Sequence, residues 1–127
     1  MSKAAVSVFV FGCYILVNAL VLIAAPNLML AGLGLEPTRE PWLRLLGLMT
    51  LALSFYYLLA AREEVTAFFR LTLWGRSIIL IGTIGLAAAG LVPPVIVVFG
   101  VVDAAGALWT AVALRAAPQS GSSRLRV

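Results

Sequence analysis

Residues 4–25 read AAVSVFVFGCYILVNALVLIAA, an apolar run without a charged side chain. At about 1.5 Å per residue, a helix of this length crosses a hydrocarbon core of about 30 Å. A cleaved signal peptide has a shorter apolar region followed by a small-residue cleavage site in a polar setting, whereas this run continues into Pro26 and a Gly-rich, still apolar segment. The stretch therefore predicts a permanent transmembrane helix.

The composition of the whole chain also indicates a lipid environment. Hydrophobic residues make up 63% of the 127 residues and charged residues 11%, against roughly 45–50% and about 25% in ordinary globular domains. The net charge of +4 does not indicate nucleic acid as a partner, because the basic residues are scattered at segment ends instead of forming a stripe. The partner that the composition predicts is the lipid bilayer.

Three further apolar segments follow the first, so that four spans are predicted, at residues 4–25, 41–61, 66–90 and 95–114. Pro41 suits the first turn of the second helix, and Pro93 with Pro94 stops the third. Residues 116–127 are polar and rich in Ser and Gly, which predicts a flexible cytoplasmic tail. We expect an all-α protein in which residues 1–115 form an integral membrane four-helix bundle with up-down topology.

The orientation follows from the positive charges near the span ends, because cytoplasmic loops carry an excess of Lys and Arg. Only Arg39 and Arg44 lie on the outer side if both termini are cytoplasmic. The inner side then holds Lys3, Arg62, Arg70, Arg76, Arg115, Arg124 and Arg126. This bias predicts a multi-pass protein of the cell inner membrane with both termini in the cytoplasm.

The segment at residues 26–37 is apolar and yet rich in helix breakers. A short amphipathic or partly re-entrant turn in the outer interface would let Leu28, Met29 and Leu30 enter lipid while the backbone at Gly32 stays near water. An ordinary apolar loop is the alternative, and the sequence leaves both open.

Arg76 and Asp103 are the most informative residues, because an ionisable side chain inside a span costs several kcal/mol, on the order of 3, unless it is paired, hydrated or turned into the bundle. Both lie near the middle of their predicted spans, and a short turn makes those spans antiparallel neighbours. We therefore expect Arg76 and Asp103 to pair. The pair is either purely structural or also the binding site of a substrate or proton.

Polar residues at helical spacing extend the predicted binding site to the other spans. The candidate ligand-binding residues besides this pair are Arg44, Asn18, Tyr14 and Thr50. The alternative for Arg44 is that its side chain reaches the outer headgroups. Small and hydroxylated residues are expected to pack helices together instead of binding a ligand; these are Gly47, Ser54, Gly100, Gly106 and Thr110.

Familiar catalytic and metal-binding motifs do not occur in this sequence. There is no histidine, and the single cysteine, Cys13, lies inside an apolar run. No phosphate-binding glycine loop and no cluster with metal-ligand spacing is present. The sequence therefore predicts no catalytic residue, no metal site and no cofactor, and it does not favour an enzyme.

The order of motifs resembles that of a known group. A first helix leads through Ala25-Pro26 into Gly32-Leu33-Gly34-Leu35-Glu36-Pro37, and Trp42-Leu43-Arg44-Leu45-Leu46-Gly47 opens the second helix. This order resembles the DoxX-like group of small bacterial four-helix membrane proteins, in which an Arg followed by a Gly opens the second span. The resemblance implies matching roles for Arg44 and Gly47, and in some members it implies a quinone-linked accessory subunit.

Three functions remain open at this point. The first is an accessory membrane protein that binds a lipid or other hydrophobic small molecule in a polar-lined bundle core. The second is a minimal transporter or channel with Asp103 as its proton or substrate site, which would work as a homo-oligomer because four spans enclose little room. The third is a quinone-linked oxidoreductase subunit.

Overall fold

The computed structural model describes residues 1–116, and every regular element in that range is helical. In chain order these elements are α1 Lys3–Ala24, α2 Pro26–Gly32, α3 Trp42–Arg62, α4 Thr66–Ala88, a 3-10 turn at Pro94–Ile96 and α5 Val97–Arg115. The predicted all-α class is thus confirmed for the described part of the chain. The predicted tail lies outside it, apart from residue 116.

Four helical segments are long and apolar enough to cross a membrane, judged by length and composition: Lys3–Ala24, Trp42–Arg62, Thr66–Ala88 and Pro94–Arg115. Within the most apolar stretch of each, at most 39% of the residues are buried inside the chain. Large apolar side chains such as Trp74 and Ile78 are 74% and 66% exposed. A soluble monomer rarely exposes such surfaces, and four helices of this kind support a membrane protein.

The apolar segment after α1 contains the short helix α2, with Pro26 in its first turn. The helix ends in a Schellman motif, in which the Leu35 amide donates to the Leu30 carbonyl at 2.8 Å. Gly34 has the positive φ of 75° that this ending requires. Of the two alternatives that the sequence left open, the structure shows a helical turn with Leu28 two-thirds exposed.

By internal contacts the described chain divides into two compact units, one of residues 9–59 and the other of residues 1–8 with 60–116. The core of the first contains Phe11, Ile15, Ala19, Leu22, Ser54 and Tyr57. The core of the second contains Ala4, Ala5, Ser7, Val8, Phe69, Thr72, Arg76, Thr110 and Ala113. The second core is the one that includes a charged side chain.

Within the unit of residues 9–59, α1 and α3 approach each other closely at two glycines. A Cβ added to Gly12 would lie 3.0 Å from Leu58 Cδ2, and one added to Gly47 would lie 2.8 Å from Leu22 Cβ. These distances are shorter than an ordinary carbon–carbon contact of about 3.5–4.0 Å. Since Gly12 meets the end of α3 while Gly47 meets the end of α1, the two helices run in opposite directions.

In the other unit, α4 packs against α5 at Gly100. A Cβ at this position would collide with Thr83 Oγ1 and would lie 2.9 Å from Leu80 Cα. Glycine at this position therefore lets the two helix backbones come together, as small residues do in membrane helix pairs. The turn that follows α4 begins at Gly90, which has a φ of 74°.

The turn between α3 and α4 repeats the Schellman ending with a residue other than glycine. The Val65 amide donates to the Ala60 carbonyl at 3.0 Å, and Glu64 has a φ of 55°. The Glu64 carboxylate accepts hydrogen bonds from the backbone amide and the hydroxyl of Ser2, both at 2.7 Å. Glu64 thus adopts a left-handed conformation that is disfavoured for any residue with a side chain. Its two hydrogen bonds with Ser2, the residue before α1, accompany that conformation.

Candidate binding site

Arg76 is the centre of the candidate site. It lies on α4 and is only 1% exposed. Its Nη1 donates a hydrogen bond to Thr110 Oγ1 on α5 at 3.1 Å. A buried guanidinium group loses its hydration. The bond to Thr110 therefore both orients the Arg76 side chain and offsets part of the cost of desolvation.

The bond from Arg76 continues into a chain of hydroxyl groups. Thr110 Oγ1 lies 2.8 Å from Ser7 Oγ, and the Ser7 hydroxyl donates to the Ala4 carbonyl at 2.7 Å. A serine hydroxyl can donate only one hydrogen bond, and Ser7 donates it to the Ala4 carbonyl. Ser7 therefore accepts a hydrogen bond from the Thr110 hydroxyl. The chain therefore has one direction, from Arg76 through Thr110 and Ser7 to the first turn of α1.

Asp103 lies on α5 seven residues before Thr110, on the same face of the helix. It is half-buried, and the positive charge of Arg76 acts on its carboxylate. The structure thus brings the two charged residues of the predicted pair within electrostatic reach. Arg76 also donates its hydrogen bond to Thr110, and Asp103 as a residue stays partly exposed.

Arg44 lies in the first turn of α3 and is exposed. Its Nη1 donates to the carbonyl oxygen of Ile23 in the last turn of α1. The last four carbonyls of a helix have no partner within the helix, and a positive charge there also interacts favourably with the helix dipole. The structure therefore gives Arg44 the role of a C-terminal cap, besides the headgroup and ligand roles that the sequence proposed.

The remaining predicted ligand-binding residues are engaged within their own helices. Asn18 Nδ2 donates to the Tyr14 carbonyl at 2.9 Å, and Thr50 Oγ1 donates to the Leu46 carbonyl at 2.8 Å. The Tyr14 ring lies against that of Phe11, with 5.5 Å between ring centroids. These bonds satisfy polar groups in an apolar medium with no need for a ligand.

Thr110 is the residue whose importance the sequence analysis missed. The sequence predicts a helix-packing residue at this position, whereas the structure shows Thr110 completely buried and joining Arg76 to Ser7. The available signal was its spacing of seven residues from Asp103, which places the hydroxyl on the helix face of the acid.

Neither a metal-binding cluster nor a known relative helps to identify the role of this site. Within residues 1–116, no three His, Cys, Asp or Glu side chains are placed to hold a metal ion. Comparisons with known protein families, with curated proteins and with solved structures find no match to this chain. The role of the site must therefore be argued from the geometry of Arg76, Asp103 and Thr110.

Proposed function

We propose that the chain is a small multi-pass protein of the inner membrane, with four spans in up-down order and both ends in the cytoplasm. Its role is accessory and not catalytic: it binds a lipid or other hydrophobic small molecule at Asp103. The support for the orientation is the excess of basic residues at the ends that would be cytoplasmic. The DoxX-like relationship stays a prediction that depends on Arg44 and Gly47.

The observation that carries this proposal is the partial exposure of an acid in the middle of a mostly apolar helix. A carboxylate at the lipid boundary is costly, so it is stabilised by any hydrogen-bond donor that can reach it there. Phe99 and Ala107 lie four residues before and after Asp103 on α5, on the same face of the helix, and both are partly exposed. An apolar molecule with a hydroxyl or cationic head would match both the acid and these apolar neighbours.

Arg76 contributes a positive charge behind Asp103 and leaves the exposed side of Asp103 open to a ligand. Its guanidinium is buried and donates to Thr110, so a ligand at the surface of α5 meets Asp103 first. The positive charge of Arg76 attracts the Asp103 carboxylate and helps to orient it. This arrangement suits recognition, since the acceptor is already in place before the ligand arrives.

The proposal is tested by mass spectrometry of the gently extracted protein. Asp103→Asn removes the charge with little change of shape, and Ser77→Ala is the matched control, because the Ser77 hydroxyl donates to its own helix at the Leu73 carbonyl. We expect a hydrophobic compound to be retained by the wild type and the control and lost from Asp103→Asn. The same retention in all three proteins, or in none, would contradict the proposal.

The hydroxyl chain favours a second candidate, proton-coupled transport by an oligomer. The chain leads from the buried Arg76, close to Asp103, to the first turn of α1, where a span would meet the cytoplasm. Transport would require Asp103 to gain and lose a proton. Flux into proteoliposomes that depends on a pH gradient and is abolished by Asp103→Asn would favour this function, and flux unaffected by that change would exclude it.

A further inference from the structure

An open groove of about 330 Å³ lies between the start of α1 and the end of α5. Its lining is apolar except for one basic side chain: Met1, Lys3, Val6, Trp109, Val112, Ala113 and Ala116. Trp109 and Val112 are 46% and 58% exposed, so a substantial apolar surface is presented to whatever fills the groove. The volume is at the lower end of the range for small-molecule sites, which is enough for part of an acyl chain.

The charges around the groove are mostly positive. Lys3 is in its lining, and the exposed Arg115 directly precedes the lining residue Ala116. The Glu64 carboxylate accepts two hydrogen bonds from Ser2, the residue before Lys3. Basic side chains beside an apolar groove at a helix end complement a ligand with a negative head and an apolar tail.

We propose that this groove binds one anionic phospholipid of the bilayer, with its phosphate at Lys3 and the upper part of an acyl chain against Trp109 and Val112. Tryptophan and lysine together at a helix end are typical of the level of the lipid headgroups. The site is separate from Asp103 and requires only that the chain is inserted in a membrane. A compound bound at Asp103 is therefore neither needed for this site nor excluded by it.

Fluorescence quenching of Trp109 tests the proposal directly. The chain has three tryptophans, and the other two, Trp42 and Trp74, are 65% and 74% exposed. Replacing both by phenylalanine leaves Trp109 as the only tryptophan. This protein is reconstituted in phosphatidylcholine vesicles that contain a small fraction of either brominated phosphatidylglycerol or brominated phosphatidylcholine.

We expect brominated phosphatidylglycerol to quench Trp109 at a lower mole fraction than brominated phosphatidylcholine. Lys3→Ala should reduce this preference about fivefold, the loss expected from one basic residue at an anionic surface. Lys3→Arg should preserve it, because the charge stays. Arg70→Ala is the matched control, since Arg70 is exposed on α4 and does not line the groove.

Three outcomes would overturn the proposal. Equal quenching by the two lipids would show a surface that contacts the bilayer without charge selectivity. A preference that survives Lys3→Ala would place the anionic lipid elsewhere. No quenching by either lipid would show that another occupant, such as residues 117–127 of this chain, fills the groove. None of these outcomes bears on compound retention by Asp103, so the two proposals can fail independently.

Discussion

Replacing Gly47 by alanine should weaken the contact between α1 and α3. The added Cβ would lie 2.8 Å from Leu22 Cβ, 2.9 Å from Ile23 Cγ1 and 3.0 Å from the Ile23 backbone nitrogen. A Cβ atom and a backbone nitrogen cannot rotate away. To restore ordinary contacts of about 3.5–4.0 Å, the helices must separate locally by roughly 0.7–1.2 Å.

The cost of this separation has two parts. Overpacking of a close contact typically costs about 1–3 kcal/mol. Arg44 lies one turn before Gly47 on α3 and donates to the Ile23 carbonyl, so the separation also stretches that bond. A hydrogen bond from a charged group contributes about 1.5–3 kcal/mol, of which a partial loss is expected. Together, Gly47→Ala should lower the free energy of unfolding by about 2–4 kcal/mol.

The measurement is the unfolding equilibrium in mixed micelles of increasing SDS fraction, followed by circular dichroism. Gly75→Ala is the control, because it is the same chemical change in the interior of α4 at a position with nothing within 4 Å. The control should leave stability unchanged or raise it by up to about 1 kcal/mol, since alanine favours helix. If Gly47→Ala were as stable as the control, the close approach of α1 and α3 would be refuted.

Further predictions concern the charged residues and hydroxyls in the same assay. Arg76→Ala should cost about 3–5 kcal/mol, and about 0.5–3 kcal/mol less when Asp103 is already alanine; strictly additive losses would show that the two do not interact. Thr110→Val should cost about 1–3 kcal/mol, because buried donors lose their acceptor; a neutral change would contradict the chain. Glu64→Gly should be more stable than Glu64→Ala by about 1 kcal/mol, because glycine accepts the positive φ; the reverse order would exclude that turn. Ser2→Ala removes only the hydroxyl bond to the Glu64 carboxylate and should destabilise the protein less than Glu64→Gly or Glu64→Ala.

The helical class and the four long apolar helices could be predicted because lipid leaves few alternatives. A backbone inside a bilayer must satisfy its own hydrogen bonds, so an apolar run of about 20 residues is almost necessarily a helix. Glycine likewise marks helix ends, as at Gly34 and Gly90. The turn at Glu64 gave no such signal, since it depends on Ser2, which is 62 residues away.

The candidate site was only partly predictable. Arg76 and Asp103 could be singled out from the sequence, because charged residues within apolar helices are few and costly. The hydrogen bond from Arg76 to Thr110 was hard to foresee, because a hydroxyl in a membrane helix usually bonds to its own backbone, as Thr50 does, and the spacing of Thr110 from Asp103 gives only its helix face. Contact between helices decides which hydroxyl is free to accept from a neighbour.

The bond from Arg44 to Ile23 has a consequence for the order of biosynthesis. The two residues are 21 positions apart, so the ribosome completes the first helix well before it adds the arginine. Until α3 packs against α1, the Ile23 carbonyl must therefore be solvated by water. Packing of α3 displaces that water, so closure of the α1–α3 hairpin and capping of α1 occur together.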